Sequence, residues 1–215
     1  MAEKPTPSLI RKALDIAYEK ALQGLPGLAP AEEMARQYLA REGSLRDKAN
    51  ALIRWQVAKA GSSGFITGLG GFATLPVTLP ANLVSVLYFQ VRMIAAIACM
   101  GGYDLRDDRV KSLIYVCLAG NMAKDILQEA GISAGTRLTA QLTGRISETT
   151  LTAINNKLGM VLLTKSGSRG GINLSRMVPV AGGLIGGTFD VVTTRIIGKI
   201  ALRTFIPEKQ QKQPT

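Results

Sequence analysis

The chain has 215 residues, 47% hydrophobic and only 5% aromatic, and its net charge of +11 comes from 26 Lys and Arg against 15 Asp and Glu. It contains no histidine, which excludes the commonest general base, the commonest metal ligand and the usual switch of neutral pH. Its two cysteines, Cys99 and Cys117, lie inside the apolar runs "IACMGG" and "YVCLAG"; no disulfide framework follows, and both read as buried reduced thiols.

The opening residues, "MAEKPTPSLIRKALDIAYEKAL", have no apolar signal core, so the expected location is the cytoplasm or the cytoplasmic face of the inner membrane. Residues 8–23 predict an amphipathic helix, because Leu9, Ile10, Ala13, Leu14, Ala17, Ala21 and Leu22 recur at helical spacing. Ser8 is its expected N-cap, and "GLPGLAP" ends it. A second short helix is predicted over 31–41 after Pro30, with Met34, Tyr38 and Leu39 on one side. Ser44 and Asp47 form a capping-box variant that opens a third helix running to about Lys59, with Leu45, Ala49, Leu52, Ile53 and Gln56 near one stripe. The single tryptophan, Trp55, is expected as a half-buried core residue, with an interfacial anchor as the alternative.

Residues 60–91 carry no charge, a run of 32 that begins just before "GFITGLGGFATLPVTLPANL". About 20 apolar residues would span a bilayer, but the glycines and the break "PVTLP" argue against one straight span. The expected structure is a helical hairpin: one arm over 61–74, a turn marked by Pro76 and Pro80, and a second arm over 81–100 with Pro80 at its first turn. Gly64 and Gly68, four apart with Ala60, allow a close helix contact.

Gly101 and Gly102 close that arm, and Asp104, Asp107 and Asp108 favour the start of a new helix through its dipole. The new helix is apolar nearly all round at Leu113–Leu118 and more amphipathic to Glu129. Residues 131–176 are Thr-rich and hold six basic residues against one acidic, a local charge of +5. Arg137, Arg145, Lys157, Lys165, Arg169 and Arg176 are therefore the candidate lipid-facing cations. A second Gly-rich apolar helix is predicted over 177–205, where Gly182, Gly183, Gly186 and Gly187 repeat the four-residue spacing, followed by a disordered tail. Asp190 and Arg195 interrupt this helix and are expected either as a polar latch or as outward-facing charges.

Three chemistries are excluded by spacing. "GFITGLGGFAT" lacks the lysine of a phosphate-binding loop, and no strand precedes it. "DLRDD" lacks the ligand spacing of a calcium loop. No nucleophile is paired with a base, so no catalytic residue, cofactor or metal is expected.

"SGFITGLGGFATLPVTLPANL", "RMIAAIACMGGYDL" and "PVAGGLIGGTFDVVTTRIIGKIALRTF", in that order, resemble the EcsC family of bacterial proteins over about residues 45–205. The family's pattern is a Gly-rich run into L-P-x-x-x-P, a helix ending in I-A-x-x-x-G-x-D, and P-V-x-G-x-x-x-G-G. The resemblance implies an Asp at the position of Asn82 and an Asn at that of Asp190; here the two are exchanged. That exchange suggests that Asn82 and Asp190 meet, and Arg195 completes the proposed latch. The resemblance implies no established reaction, and the family takes its name from a gene neighbouring an ABC transporter.

The expected architecture is all-α: a compact helical bundle whose Gly/Pro-rich apolar hairpin packs on the C-terminal Gly-rich helix. Its expected divisions are N-terminal amphipathic helices at 1–43, an EcsC-like domain at 44–206 and a tail at 207–215. The expected function is non-enzymatic. In this reading the protein associates with the cytoplasmic face of the membrane, inserts or apposes the hairpin, and binds anionic lipid through its basic surface, in connection with a transporter or envelope process. The alternative is a soluble helical adaptor or immunity-type protein that binds another protein through the apolar hairpin. Nucleic acid is not an expected partner.

Overall fold

A computed structural model describes residues 7–60, 81–129, 149, 152, 154 and 183–206. Seven α-helices stand out among them: α1 (Pro7–Gln23), α2 (Ala31–Leu39), α3 (Leu45–Ala60), α4 (Ala81–Met100), α5 (Asp108–Leu118), α6 (Ala123–Glu129) and α7 (Gly183–Phe205). A short 3₁₀ turn, Gly120–Met122, separates α5 from α6. The described residues contain no strand, and the fold is all-α.

Local chemistry sets the helix ends. At α3, Ser44 and Asp47 bond reciprocally: the Ser44 backbone N–H donates to Asp47 Oδ2 at 3.2 Å, and the Asp47 N–H donates to Ser44 Oγ at 3.2 Å. This is a capping box with Asp in place of Glu. At α5, Asp107 is the N-cap, its carboxylate accepting from the Arg109 N–H at 2.8 Å. The end of α4 is a Schellman motif: Tyr103 N–H reaches Ala98 O at 3.1 Å and Gly102 N–H reaches Cys99 O at 3.0 Å. Gly102 takes φ = 83° there, a conformation that a side chain would strain. α1 begins at Pro7, so Ser8 falls inside the helix rather than capping it.

The topology is organised around α4, which contacts α1, α2, α3, α5 and α7. Val91 and Met93–Ala98 have no exposed surface at all. A helix enclosed on every side must be apolar all round, and Ala95, Ala96 and Ala98 keep its neighbours close. The apolar arm predicted over 81–100 therefore has its cover supplied by protein from Leu87 onward. Among the described residues, no helix is long and apolar enough to cross a membrane. The amphipathic α1 and α2 give the same core their inner faces, Ile10, Ala13, Leu14, Ala17 and Ala21 from one, Met34, Ala35 and Tyr38 from the other. Leu39 and Leu45, expected on inner stripes, are instead 37% and 39% exposed at the helix ends.

Arg92 is the charged interruption of α4. It is buried, and its Nε donates to Ala29 O at 2.6 Å, tying the 24–30 turn to the central helix. Burial depresses its pKa from the ordinary arginine value.

Candidate functional site

The outer surface with the most distinctive chemistry is built by α3 and α7. The two run antiparallel: Arg46 Nη1 donates to Ile206 O at 3.5 Å, while seven residues further along α3, Ile53 packs on Gly198. Ala49, Leu52, Ile53, Gln56 and Ala60 turn inward from α3, and Thr194, Ile197, Ala201, Leu202 and Phe205 turn inward from α7. Helical periodicity then dictates what is left outside. On α3 it is Leu45, Asp47, Arg54, Trp55, Ala58 and Lys59; on the described part of α7 it is Val192, Arg195, Lys199 and Arg203.

Trp55 and Val192 are 53% and 55% exposed, the highest values among the exposed large hydrophobic residues described. Trp55 is therefore not a core residue. The Lys59 ammonium lies 5.1 Å from its ring centroid, a cation–π contact one helical turn away. Arg195, Lys199 and Arg203 follow one another at four-residue spacing, which carries a line of charge over about 12 Å at 1.5 Å per residue. Residues 191–206 contain no carboxylate side chain, and three exposed cations stand on them; on α3 the exposed Asp47, two turns before Arg54, is close enough to interact electrostatically with it.

A second polar cluster joins α1 to α5. Asp15 accepts from Tyr115 Oη at 3.0 Å and pairs with Lys111 Nζ at 2.7 Å. Tyr18 Oη donates to Leu105 O at 2.5 Å, and the two tyrosine rings meet edge to face at 5.7 Å. Lys111 sits 5.4 Å from the Tyr18 centroid and 5.7 Å from that of Tyr115. Burial, reinforced by Asp104 at Tyr18 and by Asp15 at Tyr115, pushes both phenol pKa values up. These phenols stay protonated as donors, so the cluster acts as a tie between helices and offers no activated base.

The cysteines are free thiols. Cys117 is buried and donates weakly to Thr204 Oγ1 at 3.7 Å, and burial pushes its pKa up to about 12. Cys99 is half-buried and shifts the same way, again through burial. Both are poor nucleophiles as placed. Gln56, the polar member of the inner face of α3, is buried with its Nε2 3.2 Å from Met34 Sδ. Among the described residues, no group of three or more Cys, Asp or Glu could hold a metal ion.

Of the residues singled out in the sequence, Gly183, Gly186, Gly187 and Asp190 lie in the first two turns of α7, and Asn82 lies in the first turn of α4. The side chains of Asn82 and Asp190 fall outside the description, so their meeting is not addressed. Arg195 is exposed on α7. Gly64, Gly68, Pro76, Pro80, Gly182, Arg137, Arg145, Lys157, Lys165, Arg169 and Arg176 lie outside the described residues. The close helix contact that the structure does describe on α7 is made by Gly198, a lone glycine outside the four-residue pairs. Its signal was the isoleucine-flanked "IIGKI" within a long helix. The line Arg195, Lys199, Arg203 is legible in the sequence at four-residue spacing, beside the larger net charge of 131–176.

No curated protein and no solved structure matches the chain. A sequence model of the EcsC protein family matches residues 7–206, beginning within α1 and ending just past α7.

Proposed function

The chain belongs to the EcsC protein family, and we propose that this member is a non-enzymatic protein of the bacterial cytoplasm that docks on the inner membrane by binding anionic lipid through a basic surface. One observation carries the reading: the exposed residues of α7 over 191–206 present three cations, Arg195, Lys199 and Arg203, with no carboxylate on the same stretch. A surface of this kind attracts anionic headgroups in proportion to its uncompensated charge.

The enclosure of α4 favours surface binding over insertion of that arm, since Leu87–Ala98 already have protein around them. It equally disfavours the adaptor alternative, in which the same apolar arm would be offered to another protein. A connection to a transporter or envelope process would follow from location at the membrane rather than from any catalytic group.

Fractionation tests the proposal. The full chain is expected to pellet with inner membranes at low ionic strength and to be released at roughly 1 M salt, where the Debye length falls to about 3 Å. Retention through both salt and alkaline carbonate would mean that an apolar segment is inserted. A chain that stays in the supernatant at low ionic strength overturns the proposal.

A further inference from the structure

We infer that the membrane-docking element is the α3–α7 face itself, with Trp55 and Val192 entering the headgroup layer and the α7 cations lying along it; this inference rests on the lipid-binding reading above. The α3–α7 geometry supplies three parts of such an element. The first is an apolar pair on neighbouring antiparallel helices, Trp55 at 53% and Val192 at 55% exposure. The indole is suited to the interface because one part of the ring is apolar and its N–H can stay wet. The second is charge beside the indole: Arg54 precedes Trp55, and the Lys59 ammonium stands 5.1 Å from its ring centroid. The third is direction, since Arg195, Lys199 and Arg203 follow the axis of α7 and can all reach one flat anionic surface only if that axis lies parallel to it.

The combination points to a lipid surface more than to nucleic acid. A tryptophan can stack on a base, but an exposed valine gains nothing from a phosphodiester backbone. Both gain from leaving water at a headgroup–acyl boundary. Neither helix has to open, because the residues concerned already face outward, so docking needs no rearrangement of the α4 core.

Trp55 is the only tryptophan of the chain, so its emission reports this face alone. The experiment adds vesicles of phosphatidylglycerol and phosphatidylcholine to the full chain, with pure phosphatidylcholine vesicles and a single-stranded oligonucleotide as parallel arms. The expected result is co-sedimentation with the anionic vesicles, a blue shift of Trp55 emission and its quenching by brominated acyl chains. Neutral vesicles should produce none of these. Each cation at an anionic surface is worth roughly fivefold in affinity, so the variant Arg195→Gln/Lys199→Gln/Arg203→Gln is expected to bind roughly a hundredfold more weakly with unchanged circular dichroism. Co-sedimentation with an unmoved Trp55 emission, or with a triple variant that binds as tightly as the parent, overturns this face while the lipid reading stands. No co-sedimentation at low salt overturns both, as does binding to the oligonucleotide alone.

Discussion

Ile53 fills the space that a side chain on Gly198 would need: a Cβ built on Gly198 would stand 2.8 Å from Ile53 Cγ2 and 3.0 Å from Cγ1. Both atoms hang directly on the branched Cβ of Ile53, whose rotamer is stiff in a helix, so the neighbour cannot swing away cheaply. The missing side chain therefore sets how closely α3 and α7 approach, and the outer face of the pair inherits that spacing.

Gly198→Ala should destabilise the fold by about 1 kcal/mol, because overpacking of about 1–3 kcal/mol is partly offset by the roughly 1 kcal/mol that alanine gains in helix propensity. In an Ile53→Ala background the clash is gone and the same change should become stabilising. Urea denaturation in both backgrounds reads the sign, and an equal cost in the two would show that Ile53 is not the constraint.

Gly101→Ala should cost more than Gly198→Ala, about 2–3 kcal/mol. A Cβ on Gly101 would run into the backbone carbonyl of Phe205, which has no rotamer to change, so the ends of α4 and α7 must separate. The edge-to-face contact of Tyr103 and Phe205, centroids 5.3 Å apart, sits at the same junction. A lowered Tm together with a weakened near-ultraviolet dichroism of the aromatic rings is the expected reading. A Tm within a degree or so of the parent would contradict it.

Cys117 makes the folded state sensitive to alkali. Below its ordinary pKa of 9.0 the thiol is protonated in both folded and unfolded chains, and the group leaves stability independent of pH. Above 9.0 the unfolded chain loses the proton while the folded chain holds it until about pH 12. Unfolding then releases a proton, and stability falls with rising pH by up to about 1.4 kcal/mol per unit. Between pH 9 and 10 the buried tyrosines, whose unfolded phenols begin to titrate towards about 10, and Cys99 add to the slope in the same direction, so Cys117→Ala should lessen it without abolishing it. Native alkylation at pH 8 should modify Cys99 slowly and leave Cys117 untouched; rapid modification of Cys117 in folded protein would refute its burial.

Tyr18→Phe should destabilise by about 1–3 kcal/mol, because it leaves the carbonyl of the buried Leu105 without its donor. Tyr115→Phe should cost less, about 0.5–1.5 kcal/mol, since Asp15 keeps Lys111 at 2.7 Å and is partly open to water. Chemical denaturation of the two variants gives the order, and the reverse order would show that the α1–α5 tie depends on Asp15 instead.

Most helix boundaries were legible from local rules, Ser8 being the exception because α1 starts one residue before it. The reciprocal bonds of Ser44 and Asp47, the cap at Asp107 and the Gly101–Gly102 stop depend on a few consecutive residues, and each is where the residue types put it. The arm ending at Met100 was legible for the same reason. Trp55 was not. An indole next to an arginine is compatible with core or surface, and only the direction of Ile53 towards α7 turns Trp55 outward. The contact of Gly198 is not legible in the sequence, because a lone glycine has no pattern to match and its meaning comes from a residue about 145 positions away in the chain.

The described helices, the Ser44–Asp47 box, the Asp107 cap and the all-α class can be read from the residues alone, because they follow from interactions within a turn or two of the chain. So can the chain's large uncompensated positive charge, which is a matter of counting. Packing between distant segments is what sheathes the most apolar described helix with five others, and sets α3 and α7 antiparallel with Trp55 and a line of cations outside. Hydropathy measures how much a segment gains by leaving water and is indifferent to what replaces the water. Whether that is lipid or protein depends on which other apolar faces reach it, and in this chain α1, α2, α3, α5 and α7 do.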